Sequence, residues 1–100
     1  MKVRLLSVAS IELAEALAWY RDRSPRAAEN LWLKVREARQ SIGIFPLAAP
    51  LISPQVRRFI LTGYPYDLVY GVQAEEVVIL AVAHHSRQPG YWLVRLEQLH

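Results

Sequence analysis

Val77-Val78-Ile79-Leu80-Ala81-Val82-Ala83 is an unbroken apolar run, and His84-His85-Ser86-Arg87-Gln88-Pro89-Gly90-Tyr91-Trp92-Leu93-Val94-Arg95 follows it directly. A short run without an alternating polar face reads as a strand covered on both sides, and so as a central strand of its sheet. That strand, residues 77–84, delivers two histidines, an arginine, a tyrosine and a tryptophan to one end of a small domain. These groups can donate protons, hold anions and stack.

Working back from this strand, residues 67–73 and 56–61 are two more strand candidates. Thr62-Gly63-Tyr64-Pro65 and Ala74-Glu75-Glu76 are short connections, so neighbouring strands should pair antiparallel. In 56–61, Arg57, Phe59 and Leu61 share one face, while Val56, Arg58 and Ile60 share the other. Three prolines make 46–54 a loop in this reading.

Further upstream, residues 3–8 read as a first strand. Ser10 can cap a following helix, with Glu12 in its first turn where the helix dipole favours an anion. Leu13, Leu17 and Tyr20 then form a one-faced apolar stripe. Ser24-Pro25 opens a second helix with a capping hydroxyl and a proline at the first helical position. Ala28, Leu31, Val35, Ala38, Ile42 and Phe45 form its packing seam, and Gly43 and Pro46 mark its end. The tail, 91–99, reads as a short helix or as irregular chain. The order β-α-α-β-β-β predicts an α+β fold: an N-terminal strand and an α-helical hairpin packed on a twisted, mainly antiparallel sheet. Residues 1–100 are expected to form a single domain. Its most buried residues should include Leu31, Val35, Ile42, Phe59, Ile79 and Ala81.

Composition narrows the function. The chain has 100 residues, 53% of them hydrophobic, which leaves apolar surface for either a well-filled core or a partner. Cysteine is absent, so disulfides and thiolate metal sites are excluded. The opening residues do not have the pattern of an export signal. The apolar run at 77–83 is far short of the ~20 residues that span a bilayer, so no membrane association is expected. Twelve basic residues against nine acidic ones give a net charge of +3, and ten of the twelve are arginine. Arginine holds phosphate and carboxylate with two prongs and stacks on flat rings. This balance is compatible with an acidic peptide or with RNA and demands neither.

Together with Arg57-Arg58-Phe59 and Tyr64-Pro65-Tyr66-Asp67-Leu68-Val69-Tyr70, the stretch after the central strand resembles the RelE/ParE superfamily of bacterial toxins. These are the toxic halves of type II toxin–antitoxin systems. The resemblance runs from about residue 9 to residue 95. The His-x-Ser-Arg-x-Pro-x-Tyr-Trp pattern of 84–92 resembles the ParE-type, plasmid stabilisation arm, whose characterised members are associated with blocking DNA gyrase. The resemblance implies a cytoplasmic toxin that arrests growth and is neutralised by a cognate antitoxin. It implies contact with operator DNA only through that antitoxin, and no cofactor. The alternatives are a ribosome-dependent mRNA endonuclease of RelE type and an inactive relative serving as a binding module. The mRNA-cleaving arm usually has a denser basic surface and a catalytic tyrosine or histidine near the chain end. Here only Lys2 and Lys34 are lysines, and His100 is the last residue.

Metal-free RNA cleavage needs a base, an acid and a cation at the phosphorane. The candidates are His84, His85, Arg58, Arg87 and Tyr91. For target binding the candidates are Arg57, Arg58, Arg87, Tyr91, Trp92 and Arg95. An acidic amphipathic antitoxin should contact Trp19, Tyr20, Trp32 and Arg36, which lie off the helices' core stripes. Each residue also has a purely structural reading. His84 can be a hydrogen-bonded histidine at a sheet edge, and His85 plain surface. Ser86 to Pro89 can be a turn in which Arg87 pairs with a carboxylate such as Asp67. Tyr91 and Trp92 can pin the tail. One of Arg57 and Arg58 must pair at the helices or an edge, leaving the other free. Tyr64, Tyr66 and Tyr70 suit strand packing. No metal site is expected, because adjacent strand histidines point to opposite faces.

Overall fold

The computed structural model describes residues 1–99, so His100 lies outside the described residues. The elements are β1 (Lys2–Leu5), α1 (Ser7–Arg23), α2 (Pro25–Ile44), β2 (Leu51–Ser53), β3 (Val56–Ile60), β4 (Tyr66–Val72) and β5 (Glu76–His84), followed by a 3₁₀ helix (Leu93–Gln98). The five strands form one sheet in the order β1-β5-β4-β3-β2. β1 runs parallel to β5, with Val3 opposite Val77. The remaining neighbours are antiparallel. This is the expected α+β architecture with one strand added.

β5 occupies the position its apolar run predicted. It lies between β1 and β4, and Val77 to Ala81 are fully buried. The helices cover one face of the sheet. Tyr64 donates its hydroxyl to the Ala27 carbonyl of α2, and Arg39 of α2 donates to the Val3 carbonyl of β1. The chain after β5 covers part of the other face. There Trp92 is buried, and Leu99 comes so close to β4 that a Cβ on Gly71 would stand 2.8 Å from its Cδ1. A side chain there would push the Leu99 side chain off the sheet.

Several boundaries differ from the sequence reading. β1 stops at Leu5, and α1 begins at Ser7 rather than after Ser10. The cause is the ladder to β5. It ends at Leu5 opposite Ile79, and the next amide, of Leu6, donates to the Ile79 carbonyl at 3.0 Å. Leu6, not Ser10, is the N-cap, and it provides no side-chain cap. Glu12 therefore stands beyond the first turn. α2 begins as expected, with the Ser24 hydroxyl accepting from the Ala27 amide at 3.2 Å. Its seam from Ala28 to Ile42 is buried. The helix runs through Gly43, however, and Phe45 is the C-cap, 64% exposed.

The loop read at 46–54 contains β2, a three-residue edge strand flanked by Pro50 and Pro54. Proline is tolerated there because an edge strand need not donate on its outer side. Phe59 is only partly buried, against the expectation of a core position. β2 is short, and a crevice of about 270 Å³ lined by Ile42, Phe45, Phe59 and Tyr70 stays open beside β3. The other five expected core residues are at most 1% exposed.

Candidate functional site

Two clusters of polar side chains meet where β4 begins, β5 ends and the chain turns into its tail. The first lies on the sheet face away from the helices. Strand pairing sets Asp67 of β4 opposite Ala83 of β5 and Ile60 of β3. His85, one residue past β5, places Nε2 3.0 Å from Asp67 Oδ1. Its backbone amide is fixed to the Pro65 carbonyl at 2.8 Å. Arg58 Nε approaches the other Asp67 oxygen at 3.8 Å. Asp67 is buried, while His85 and Arg58 are exposed, so the carboxylate anchors two groups that face solvent. They line a groove of about 720 Å³ together with Ile60, Val69, Arg87 and Tyr91.

The second cluster is organised by Glu12. Its Oε1 accepts from the Val82 amide at 3.1 Å and from Arg95 Nη1 at 2.8 Å. Its Oε2 accepts from the Tyr91 hydroxyl at 2.8 Å and from Arg95 Nη2 at 3.1 Å. Arg87 Nη1 stands 4.0 Å from the same oxygen. The Arg87 guanidinium lies over the Tyr91 ring, 3.9 Å from its centroid, with Arg95 at 5.0 Å. Burial, and then the hydrogen bond to Glu12, push the Tyr91 phenol up to about 12. The same carboxylate raises Arg95, which also donates to the Leu80 carbonyl at 2.9 Å. The phenol is thus a fixed hydrogen-bond donor that stays protonated, and a poor acid.

The structure sorts the predicted residues. Arg58, His84, His85, Arg87 and Tyr91 all line the groove. His84 caps its own turn, with Nδ1 accepting from the Ser86 amide at 2.9 Å, and meets Tyr66 edge-on at 5.0 Å. It also lines a second groove, of about 440 Å³, between α1 and the sheet, beside Trp19, Tyr20 and Arg87. Arg87 does not pair with Asp67, because His85 and Arg58 take that carboxylate. Arg57 donates to the Leu47 and Ala49 carbonyls at 2.9 and 2.7 Å, which ties the loop before β2 to the sheet. Arg57 is therefore the paired member of the arginine pair. Trp92 is buried and Arg95 is enclosed by Glu12, so both hold the tail.

Of the antitoxin candidates, Trp19 and Tyr20 sit together by the second groove, with Arg23 stacked 3.7 Å from the Trp19 ring. Trp32 lines a separate groove between the helices, beside Leu17, Arg21 and Pro25. Arg36 is exposed on α2. Glu12 organises the second cluster, whereas the sequence alone places it in the first turn of a helix as a partner of the helix dipole. Its signal was available: Ala9, Leu13 and Ala16 are buried, and Glu12 lies on their helical face. A charged residue inside an apolar stripe needs a buried partner.

Arg58 and Arg87 present two exposed guanidinium groups near one groove, an arrangement suited to phosphate or carboxylate. The two histidines hold different partners, Tyr66 and Asp67. Among the described residues, no group of three or more His, Cys, Asp or Glu could hold a metal ion. Nor is any helix long and apolar enough to cross a membrane.

A family profile described as the ParE toxin of the type II toxin–antitoxin system parDE matches residues 3–89. Among solved structures, the chromosomal ParDE toxin–antitoxin system from P. aeruginosa is similar, with a TM-score of 0.72 at 20% identity. The match covers 84% of this chain and 95% of that one. No curated protein sequence matches.

Proposed function

Because the chain belongs to the ParE toxin family of type II toxin–antitoxin systems, we propose that it arrests growth by binding DNA gyrase, without acid–base catalysis, in the cytoplasm. The observation that carries this reading is the state of its proton-transfer candidates. Tyr91 is tied to Glu12 with its phenol at about 12, and His84 and His85 hold separate partners. A nuclease needs a base and an acid on either side of one phosphate, each tuned near the working pH. What remains exposed is cationic: Arg58 and Arg87, each at the edge of a carboxylate and open to solvent, with the Tyr91 ring behind Arg87. That set suits binding an acidic or phosphate-bearing surface. We further propose neutralisation by a cognate antitoxin that contacts operator DNA on the toxin's behalf.

A second reading has its own support. Asp67 orients His85 as a carboxylate orients a general base, and Arg58 stands beside the pair. An mRNA endonuclease could use this set. Purified protein added to a gyrase supercoiling assay and to a translating extract separates the two. Inhibited supercoiling with intact mRNA is the expected result. Cleaved mRNA with unaffected supercoiling would overturn the gyrase reading, and inactivity in both would leave a binding module.

A further inference from the structure

We propose that Glu12 is a positioning residue that sets the orientation of Arg87 toward its target through the Tyr91 ring. The inference rests on the reading above, in which Arg87 touches the target. Glu12 belongs to α1, yet it binds β5 at the Val82 amide and the tail at Tyr91 and Arg95, across 70, 79 and 83 residues of sequence. Its side chain is only 11% exposed. A buried ion pair of this kind confers little net stability over an apolar side chain of equal volume. The geometry supplies a use that burial alone does not. The carboxylate holds the phenol oxygen at 2.8 Å, and so anchors the position and long axis of the ring. The ring in turn supports the Arg87 guanidinium at 3.9 Å.

Arg87 stands in the turn after β5, and its side chain is 53% exposed. Its backbone amide donates to the His84 carbonyl at 3.0 Å, which fixes the turn but leaves the long side chain free to rotate. Order in that side chain must come from the ring and from the outer oxygen of Glu12. A guanidinium held flat on a ring retains its edge donors for a carboxylate or phosphate. A freely rotating one would lose side-chain entropy on binding.

The test pairs a structural readout with an activity readout. By NMR, the Arg87 side-chain protons should be ring-shifted upfield in the wild type. They should move toward free-arginine positions in Glu12→Gln and Tyr91→Leu, and less so in Tyr91→Phe, which keeps the ring. Unchanged Arg87 resonances in a folded Glu12→Gln protein would overturn the proposal.

The activity arm is growth arrest on induction without antitoxin, normalised to folded protein. Glu12→Gln should weaken arrest roughly three- to thirtyfold, the size of a partly desolvated cation–π contact. In an Arg87→Ala background, the same change should have no further effect. An equal loss in both backgrounds would make Glu12 merely structural, and full arrest by Arg87→Ala would remove Arg87 from the target surface. Because arrest is read without reference to a target, failure of gyrase inhibition alone sinks the target assignment and leaves the positioning role standing. A wild type that arrests nothing overturns the target-facing role, while the NMR arm still decides whether Glu12 orients Arg87.

Discussion

Tyr91 makes the chemistry of single residues measurable. Its phenol titrates at about 12, against an ordinary 10.0, because burial and Glu12 both disfavour phenolate. The folded state therefore holds this proton more tightly than the unfolded chain. The resulting stability is fully present below pH 10 and is lost as pH rises toward 12. Wild type should lose stability across that window more steeply than Tyr91→Phe. At neutral pH the variant should be about 1.5–3 kcal/mol weaker, the value of a hydrogen bond to a charged group. Parallel denaturant curves from pH 8 to 12 would refute this if the two proteins kept a constant difference. The histidines carry a second test. Glutamine at position 84 or 85 retains hydrogen bonding without a titratable ring, so folded His84→Gln and His85→Gln should keep most growth arrest. A nuclease would lose a factor of about 10²–10⁴ from either essential group. Abolished arrest by folded His85→Gln, with cleaved mRNA in the wild type, would promote the endonuclease.

Elements that follow one strong period were readable from sequence, and those set by their neighbours were not. The α2 seam from Ala28 to Ile42 and the apolar β5 from Val77 to Val82 needed no tertiary information and are buried, whereas Phe45, at the end of the predicted seam, is exposed. β2 has three residues and no repeat to detect, and it exists through its pairing with β3, where Leu51 stands opposite Arg57 and the Arg58 backbone amide donates to the Pro50 carbonyl just before it at 3.1 Å. The start of α1 is decided by Ile79, which lies 73 positions from Leu6 in sequence. Asp67 was visible as a carboxylate, but its choice of His85 over Arg87 depends on where the tail folds. The element-level prediction follows the same logic. Leu31→Ala in the α2 seam and Ile79→Ala in β5 should each cost about 2–5 kcal/mol. Phe59→Ala beside the open crevice should cost less than Ile79→Ala, because part of its surface already meets solvent. Thermal midpoints in the reverse order would contradict the burial argument.

Over the whole molecule, apolar surface remains that the fold does not cover. Ile44, Phe45, Leu47, Trp19 and Trp32 are each between 43 and 68% exposed or at those limits. Scattered apolar residues are ordinary on a protein surface, but exposed tryptophans beside grooves are typical of contact surfaces. Trp19 with Tyr20 and Trp32 lie on different grooves of the same helical hairpin. An antitoxin that reached all of these and Arg36 would have to wrap the hairpin rather than lie along one side. With a net charge of +3 on the toxin, such a segment should be acidic as well as amphipathic. Its affinity should then fall with added salt, as screening shortens the reach of the charges. Trp19→Ala and Trp32→Ala should each weaken binding by about 1–4 kcal/mol if the tryptophans are anchors. Arg36→Ala, on an exposed rim, should act mainly on the association rate and its salt dependence. Calorimetric titration of the three variants with the cognate antitoxin measures the affinities, and stopped-flow mixing measures the rates. Loss at Trp19 alone would place the antitoxin in the groove between α1 and the sheet, and loss at Trp32 alone would place it between the helices. Unchanged affinity in all three, with a complex still formed, would move the interface off the hairpin altogether.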